Sequence, residues 1–162
     1  MTSGSAHDAG HGTIAENRRA RFDFDINRTY EAGIELQGHE VKSAKAGRLQ
    51  IAGSRVLIRG NARHAGAAEA FLVNAHIPPY QPNNTSDDYE EDRARRLLLT
   101  KAEIKELTGA LQEKGWSLVP LRAFVRRGFI KIELGLGHMR KKSDKREVIK
   151  KRSHEREIRR GE

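Results

Sequence analysis

The sequence predicts a mainly β domain, a small curled antiparallel sheet or barrel interrupted by helices, followed by a long basic extension. Three observations carry that expectation. Apolar and charged residues alternate over several short runs, and period two means strands with one buried face. Residues 100–115 have apolar positions at helical spacing with a start and a stop signal. Residues 140–160 carry eleven Lys or Arg against four Asp or Glu, with Val148, Ile149 and Ile158 as their only large aliphatic residues, so this stretch has almost nothing to bury.

In chain order, residues 1–12 are Gly, Ser, Ala and His without periodicity and read as a disordered N-terminal arm. The folded domain is expected over 13–139. "RFDFDIN" sets Phe22, Phe24 and Ile26 against charges, and "YEAGIEL" repeats the alternation through Tyr30, Ala32, Ile34 and Leu36, giving strands. "GHEVKSAKAG", between Gly38 and Gly47, reads as a short helix. "RVLIR" and "EAFLVNA" are strands joined by the exposed loop "GNARHAGAA". "AHIPPYQPNNTSDDYEED" holds three of the four prolines and reads as a long surface loop. Thr100 caps the clearest helix, Glu103 reaches back to it, Ile104, Leu107 and Leu111 form its apolar stripe, and Gly115 ends it. "WSLVPLRAFV" and "FIKIELGLG" flank "RRG" as a hairpin. Oligonucleotide-binding (OB) barrels belong to this class. Residues 140–162 form a basic tail.

The chain's 36% hydrophobic and 33% charged residues fit one modest core under a wet surface. A net charge of +9 favours a polyanionic partner, nucleic acid before an anionic membrane, because Lys and Arg gain free energy by displacing counterions from phosphates. The absence of cysteine rules out a disulfide framework or a thiolate metal site. No apolar run approaches the roughly 18 residues of a spanning helix, and the start of the chain has no signal-peptide pattern. A soluble, cytoplasmic protein is expected.

Catalysis finds no support. Asp23 and Asp25 share the solvated side of a strand. Asp87, Asp88, Glu90, Glu91 and Asp92 lie in a loop, where a nuclease reading would have to start. The histidines show no ligand spacing, and neither GxSxG, a P-loop nor a Cys nucleophile occurs. No catalytic residue, metal or cofactor is therefore assigned, and the chain is not expected to be an enzyme.

Basic clusters are the stronger signal. Asn17, Arg18, Arg19 and Arg21 in "NRRAR", Lys42 and Lys45 in "VKSAK", Arg93, Arg95 and Arg96 in "RARR", and Arg126 and Arg127 at the hairpin tip interrupt mixed-charge segments as phosphate-contacting clusters do. Any one of them is as well explained by a solvated basic face. Four together on a barrel-like fold favour RNA or DNA. A ribosomal-protein-like or single-strand-binding barrel is the competing module, although aromatic residues at 6% are too few for a platform stacking many bases.

The blocks "NRRARFDFDI…YEAGIELQGHEVKSAKAGR", "AHIPPY", "RARRLLLTKAEI", "GWSLVPLRAF", "IKIELGLG" and "SDKREVIKKR", in that order over roughly Thr13 to Arg156, resemble the small protein B (SmpB) family, the SsrA-binding proteins that partner transfer-messenger RNA. The resemblance implies a small antiparallel OB-like β-barrel with about three helices, no enzymatic activity, and a role as an adaptor, expected to be monomeric, that rescues stalled ribosomes. It implies that the barrel docks on the tRNA-like part of the RNA in place of an anticodon arm. It further implies that the tail reaches the decoding centre and the empty message channel.

Residue by residue, the resemblance assigns Glu31 and Leu98 to RNA binding, with Thr100 standing where the family usually has Asn or His. Phe24 replaces the usual Tyr and keeps a stacking face. Asp144, Lys145 and Arg146 match the "DKR" of the family's tail, with Lys150, Lys151 and Arg152 following; Ser143 replaces the usual aromatic or His. Such a tail is expected to be disordered when free and helical on the ribosome, where phosphates remove its self-repulsion.

Overall fold

The structure is a computed structural model, and it describes residues 12–60 and 67–161. The expected arm at 1–12, apart from Gly12, and most of the loop "GNARHAGAA" lie outside the described residues. Eleven helices and strands follow in order: β1 (Thr13–Glu16), α1 (Arg18–Asp23), β2 (Phe24–Ile34), α2 (Gly38–Lys45), β3 (Arg55–Gly60), β4 (Ala68–Val73), β5 (Arg95–Leu98), α3 (Lys101–Gln112), β6 (Trp116–Arg126), β7 (Phe129–Met139) and α4 (Lys142–Arg160).

The strands make one seven-stranded antiparallel sheet in the order β1-β6-β7-β2-β5-β4-β3. Its long centre is β6, β7 and β2. Bulges between Ile26 and Arg28 in β2 and between Pro120 and Arg122 in β6 bend it, because an extra residue on one strand increases the local twist. Pro120, which cannot donate to a ladder, sits at the second bulge, where its carbonyl accepts from Asn17 Nδ2 at 3.0 Å. Gly137 permits the first bulge: a Cβ there would lie 2.2 Å from the Asp25 carbonyl oxygen.

The curl brings β3 towards the first half of β6, but no ladder joins them, so the barrel is not closed. A groove of about 490 Å³ lies between them, lined by Phe24, Leu57, Leu111 and Trp116 among others. Of the expected curled sheet or OB-like barrel, the structure has the curled antiparallel sheet, and the barrel is left open. A mostly apolar groove lining, rather than a hydrogen-bonded ladder, stands where closure would occur. The core lies inside the curl, where Ala32, Leu72, Leu97, Leu107, Ile132 and Leu134 are all 0–2% exposed.

Four α-helices are present among the described residues, against the expected three or so. The addition is α1, capped by Asn17, whose Oδ1 accepts from the Ala20 N–H at 3.2 Å. Phe22 belongs to this helix rather than to a strand, so the alternation Phe22, Phe24, Ile26 is partly coincidental. Helix α3 has the anticipated reciprocal cap: Glu103 N–H donates to Thr100 Oγ1 at 3.2 Å, and Thr100 N–H donates to Glu103 Oε2 at 2.9 Å. The acid-rich loop between β4 and β5 is tied down more than a solvated loop need be. Tyr89 Oη donates to the Ile77 carbonyl at 2.7 Å, and His76 is clasped by Glu91 at 2.9 Å and Asp92 at 2.8 Å.

Candidate nucleic-acid interface

Because side chains alternate across a strand, one face of the central strands is fixed by the core. With Ala32, Ile132 and Ala123 inward, the outward positions are Glu31 on β2, Phe129, Lys131 and Glu133 on β7, and Arg122, Phe124 and Arg126 on β6. Glu31 stands directly opposite Glu133, a like-charge pair that is unfavourable by itself. Arginines resolve it. Glu133 accepts from Arg122 Nε at 2.5 Å and from Arg21 at 3.4 Å, while Glu31 accepts from Arg126 Nη1 at 2.5 Å. Both guanidiniums lie over the Phe124 ring, Arg122 at 4.5 Å and Arg126 at 5.2 Å from its centroid. Arg126 is therefore held from two sides while about half of it remains open to solvent.

Leu98 completes this face. It pairs across β5–β2 with Gly33, and its side chain lies so close over that bare backbone that a Cβ on Gly33 would sit 3.2 Å from the Leu98 Cβ. Leu98 is 47% exposed, an apolar surface two residues from Glu31 along the same face. Thr100 follows just beyond the end of β5, exposed, with its hydroxyl engaged in the α3 cap. Glu31, Leu98 and Arg126 thus share one outward face.

The other assigned residues lie elsewhere. Phe24 is seven residues from Glu31 on β2, roughly 23 Å at the rise of a strand. It packs against Ala20, Val119 and Leu121 and borders the seam groove. Arg18 and Arg19 are exposed on α1, paired with Glu16 and Asp23 at 3.2 and 3.3 Å. Asn17 is placed differently from its basic neighbours: it is 4% exposed, and its amide is committed to Ala20, Pro120 and Ile51. Lys42 and Lys45 are exposed on α2.

Within the "RARR" cluster Arg95 and Arg93 are turned towards Glu40, while Arg96 stays exposed. Arg95 is wholly buried and donates through Nε to Glu40 at 2.6 Å and through its other nitrogens to the carbonyls of Ala75, Arg93 and Glu91. Arg93 also reaches Glu40, and Arg96 pairs with Glu35 and Glu69. Burial alone would raise the Glu40 carboxyl. The Arg93 guanidinium, the Gln37 N–H and Arg95 outweigh it and hold the group below the usual carboxylate range. Nothing in the linear sequence distinguishes these arginines from phosphate binders, because their partner Glu40 is more than fifty positions away.

At the tail, the "DKR" residues have three different surroundings. Asp144 accepts from the Lys141 N–H at 3.4 Å in the first turn of α4. Lys145 Nζ reaches Asp23 Oδ1 at 3.0 Å and lies 5.9 Å from the Phe22 ring, pinning the first turns of α4 to α1. The hydrogen bond from Lys145, with Arg19 beside it, holds the Asp23 carboxyl below its ordinary range. Arg146, Lys150, Lys151 and Arg152 are exposed, and no residue of α4 is buried.

Among the described residues, no group of three His, Cys, Asp or Glu could hold a metal ion, and no helix is long and apolar enough to cross a membrane. The sequence profile of the family described as "SmpB protein" matches residues 14–161. An SsrA-binding protein of Trichodesmium erythraeum is 44% identical over 93% of this chain and 92% of its own length. One of Nostoc punctiforme is 40% identical over 96% of each. A solved chain described under "tmRNA-SmpB: a journey to the center of the bacterial ribosome" is similar with a TM-score of 0.61 and 39% identity, covering 83% of this chain and 92% of that one.

Proposed function

This chain belongs to the SmpB family, and on that basis we propose that it is an RNA-binding adaptor, not an enzyme. It binds transfer-messenger RNA, the SsrA RNA, and delivers it to stalled ribosomes for trans-translation. The curled sheet acts as an OB-type barrel left open at the β3–β6 seam, working as a monomer in the cytoplasm. It docks on the tRNA-like part of the RNA and stands where an anticodon arm would be.

The observation that carries this reading is the convergence of Glu31, Leu98 and Arg126 on one outward face. A carboxylate gains nothing by meeting a phosphate, but it can aim a guanidinium at one. Glu31 is thus a positioning residue for Arg126. Leu98 offers an apolar surface to a ribose or base, and Lys131 lies on the same face. Arg18, Arg19, Lys42 and Lys45 add phosphate contacts from outside this patch, Phe24 offers part of a stacking face near the root of the tail, and Thr100 borders the Leu98 side.

The tail does the ribosomal half of the work. Helix α4 spaces Glu147 and Lys151 at i, i+4, yet its excess of like charge and its lack of buried residues leave the helix marginal in water. The rRNA walls of the decoding centre and message channel complete it, contacting Asp144, Lys145, Arg146, Lys150, Lys151 and Arg152. Ordering the tail there costs about 2 to 5 kcal/mol of the gross interaction energy, which makes engagement conditional on an empty channel.

The test is binding of the purified full chain to transfer-messenger RNA, to its isolated tRNA-like half and to an unrelated RNA of equal length, over a salt series. Preferential binding to the first two, weakening linearly in log–log coordinates with salt, is expected. Equal affinity for the unrelated RNA would remove the proposal.

A further inference from the structure

The tip of the β6–β7 hairpin combines two locally unfavourable features. Arg126 pairs directly with Phe129, so Arg127 and Gly128 alone make the turn, at φ 50° and 82°. Positive φ at both central positions matches the twist of the strands, but it suits Asn or Gly at the first, and an Arg side chain there is strained. Beside it, Phe129 is 71% exposed, the most exposed large hydrophobic residue of the described chain. Neither feature serves the core, since Ile130, Ile132 and Leu134 form the buried side of β7. A rule broken twice within three residues, without any packing gain, points to a ligand.

The surroundings identify its chemistry. Phe129 stands across the ladder from Arg126, the guanidinium aimed by Glu31, and on the same face of β7 as Lys131. Arg127 lies between them at the turn. An exposed ring framed by three cations matches a nucleobase with its phosphates: the ring takes the base, the cations the backbone. A membrane surface fits less well, because a single ring on a two-residue turn inserts little apolar area.

We propose that the hairpin tip is a base-stacking site, in which Phe129 stacks on one unpaired nucleobase of the RNA while Arg126, Arg127 and Lys131 hold the flanking phosphates. The inference rests on the adaptor reading above and deepens it. The site selects looped nucleotides over duplex, because a base stacked within an A-form helix cannot present its face to a side chain. Being 71% exposed, Phe129 can be replaced without disturbing the fold.

The experiment measures binding of Phe129→Ala, Phe129→Leu and Phe129→Trp full-length proteins to the tRNA-like half of the RNA, with melting temperature and oligomeric state recorded for each. Loss of one stacked base predicts about tenfold weaker binding for Phe129→Ala and Phe129→Leu, restoration by Phe129→Trp, and an unchanged salt slope. Arg127→Ala should instead lower that slope by about one. Wild-type affinity in Phe129→Ala or Phe129→Leu would overturn the stacking site while leaving the adaptor reading intact. Weakening accompanied by a changed oligomeric state would overturn it in favour of self-association through Phe129. Failure of the wild-type chain to bind this RNA would remove the adaptor reading itself.

Discussion

Glu31 and Glu40 are both glutamates paired with arginine, and their exposures give them opposite consequences. Glu31 and Arg126 are 39% and 51% exposed, so their pair adds at most about 1 kcal/mol to stability. We expect Glu31→Ala and Glu31→Gln to melt within a few degrees of wild type while RNA affinity falls. In an Arg126→Ala background the Glu31 substitutions should have little further effect, because their role is to aim that guanidinium; additive losses in the double mutant would show that Glu31 contacts RNA itself. Glu40 is fully buried with Arg95, and removing one partner there strands a charge. Glu40→Gln should cost about 3 to 5 kcal/mol in urea unfolding, whatever it does to binding.

Glu40, with Asp23, also shapes the acid limb of stability. Glu40 and Asp23 both have their pKa lowered by folding. A depressed carboxyl contributes stability that is fully present above its unfolded value of about 4, and loses it as pH falls through the folded value. Unfolding free energy should therefore be level from about pH 7 to 5 and drop below about pH 4.5, with a shallower drop in Asp23→Asn. An acid limb identical in that variant would mean that the Asp23–Lys145 contact contributes nothing.

Among the elements, the long periodic ones and also the short α2, β3 and β4, each bounded by Gly or a loop, are legible in the sequence; β1, β5 and α1 are not. Helix α3 and the β6–β7 hairpin follow directly from Thr100, Glu103 and the alternation Ile130, Ile132, Leu134. Strands β1 and β5, of four residues each, give a period-two pattern too little length, and β5 is hidden further because two of its residues are arginines. Helix α1 has six residues, of which Phe22 continues the alternation of Phe24 and Ile26 and so mimics a strand, and its cap, Asn17, stands at the head of a basic run. The α3 cap offers a prediction at this scale. Thr100→Ala should cost about 1 kcal/mol of stability, and Thr100→Ser should restore most of it. Equal melting of all three proteins would show that Glu103 alone satisfies the helix end.

For the molecule as a whole, the sequence names residues of the proposed RNA-binding face but not their geometry. The block resemblance names Glu31 and Leu98, but their sharing one outward face with Arg126 depends on the register of β2 with β7 and β5, which no local pattern encodes. The open seam was equally invisible, since the strand pattern is the same whether or not β3 and β6 pair. The two regions proposed to act are built separately: the outward face around Glu31 and Arg126, and a tail helix attached near α1 through Lys145 and Asp23. RNA binding and ribosome engagement should therefore separate genetically.

Truncation after Met139 tests that separation most directly, with binding to transfer-messenger RNA and peptide tagging on stalled ribosomes measured on the same preparation. The account predicts RNA affinity within a few-fold of the full chain, the tail's non-specific charge accounting for the difference, and no tagging. Tagging at the full-length rate, or loss of specific RNA binding together with the tail, would contradict it.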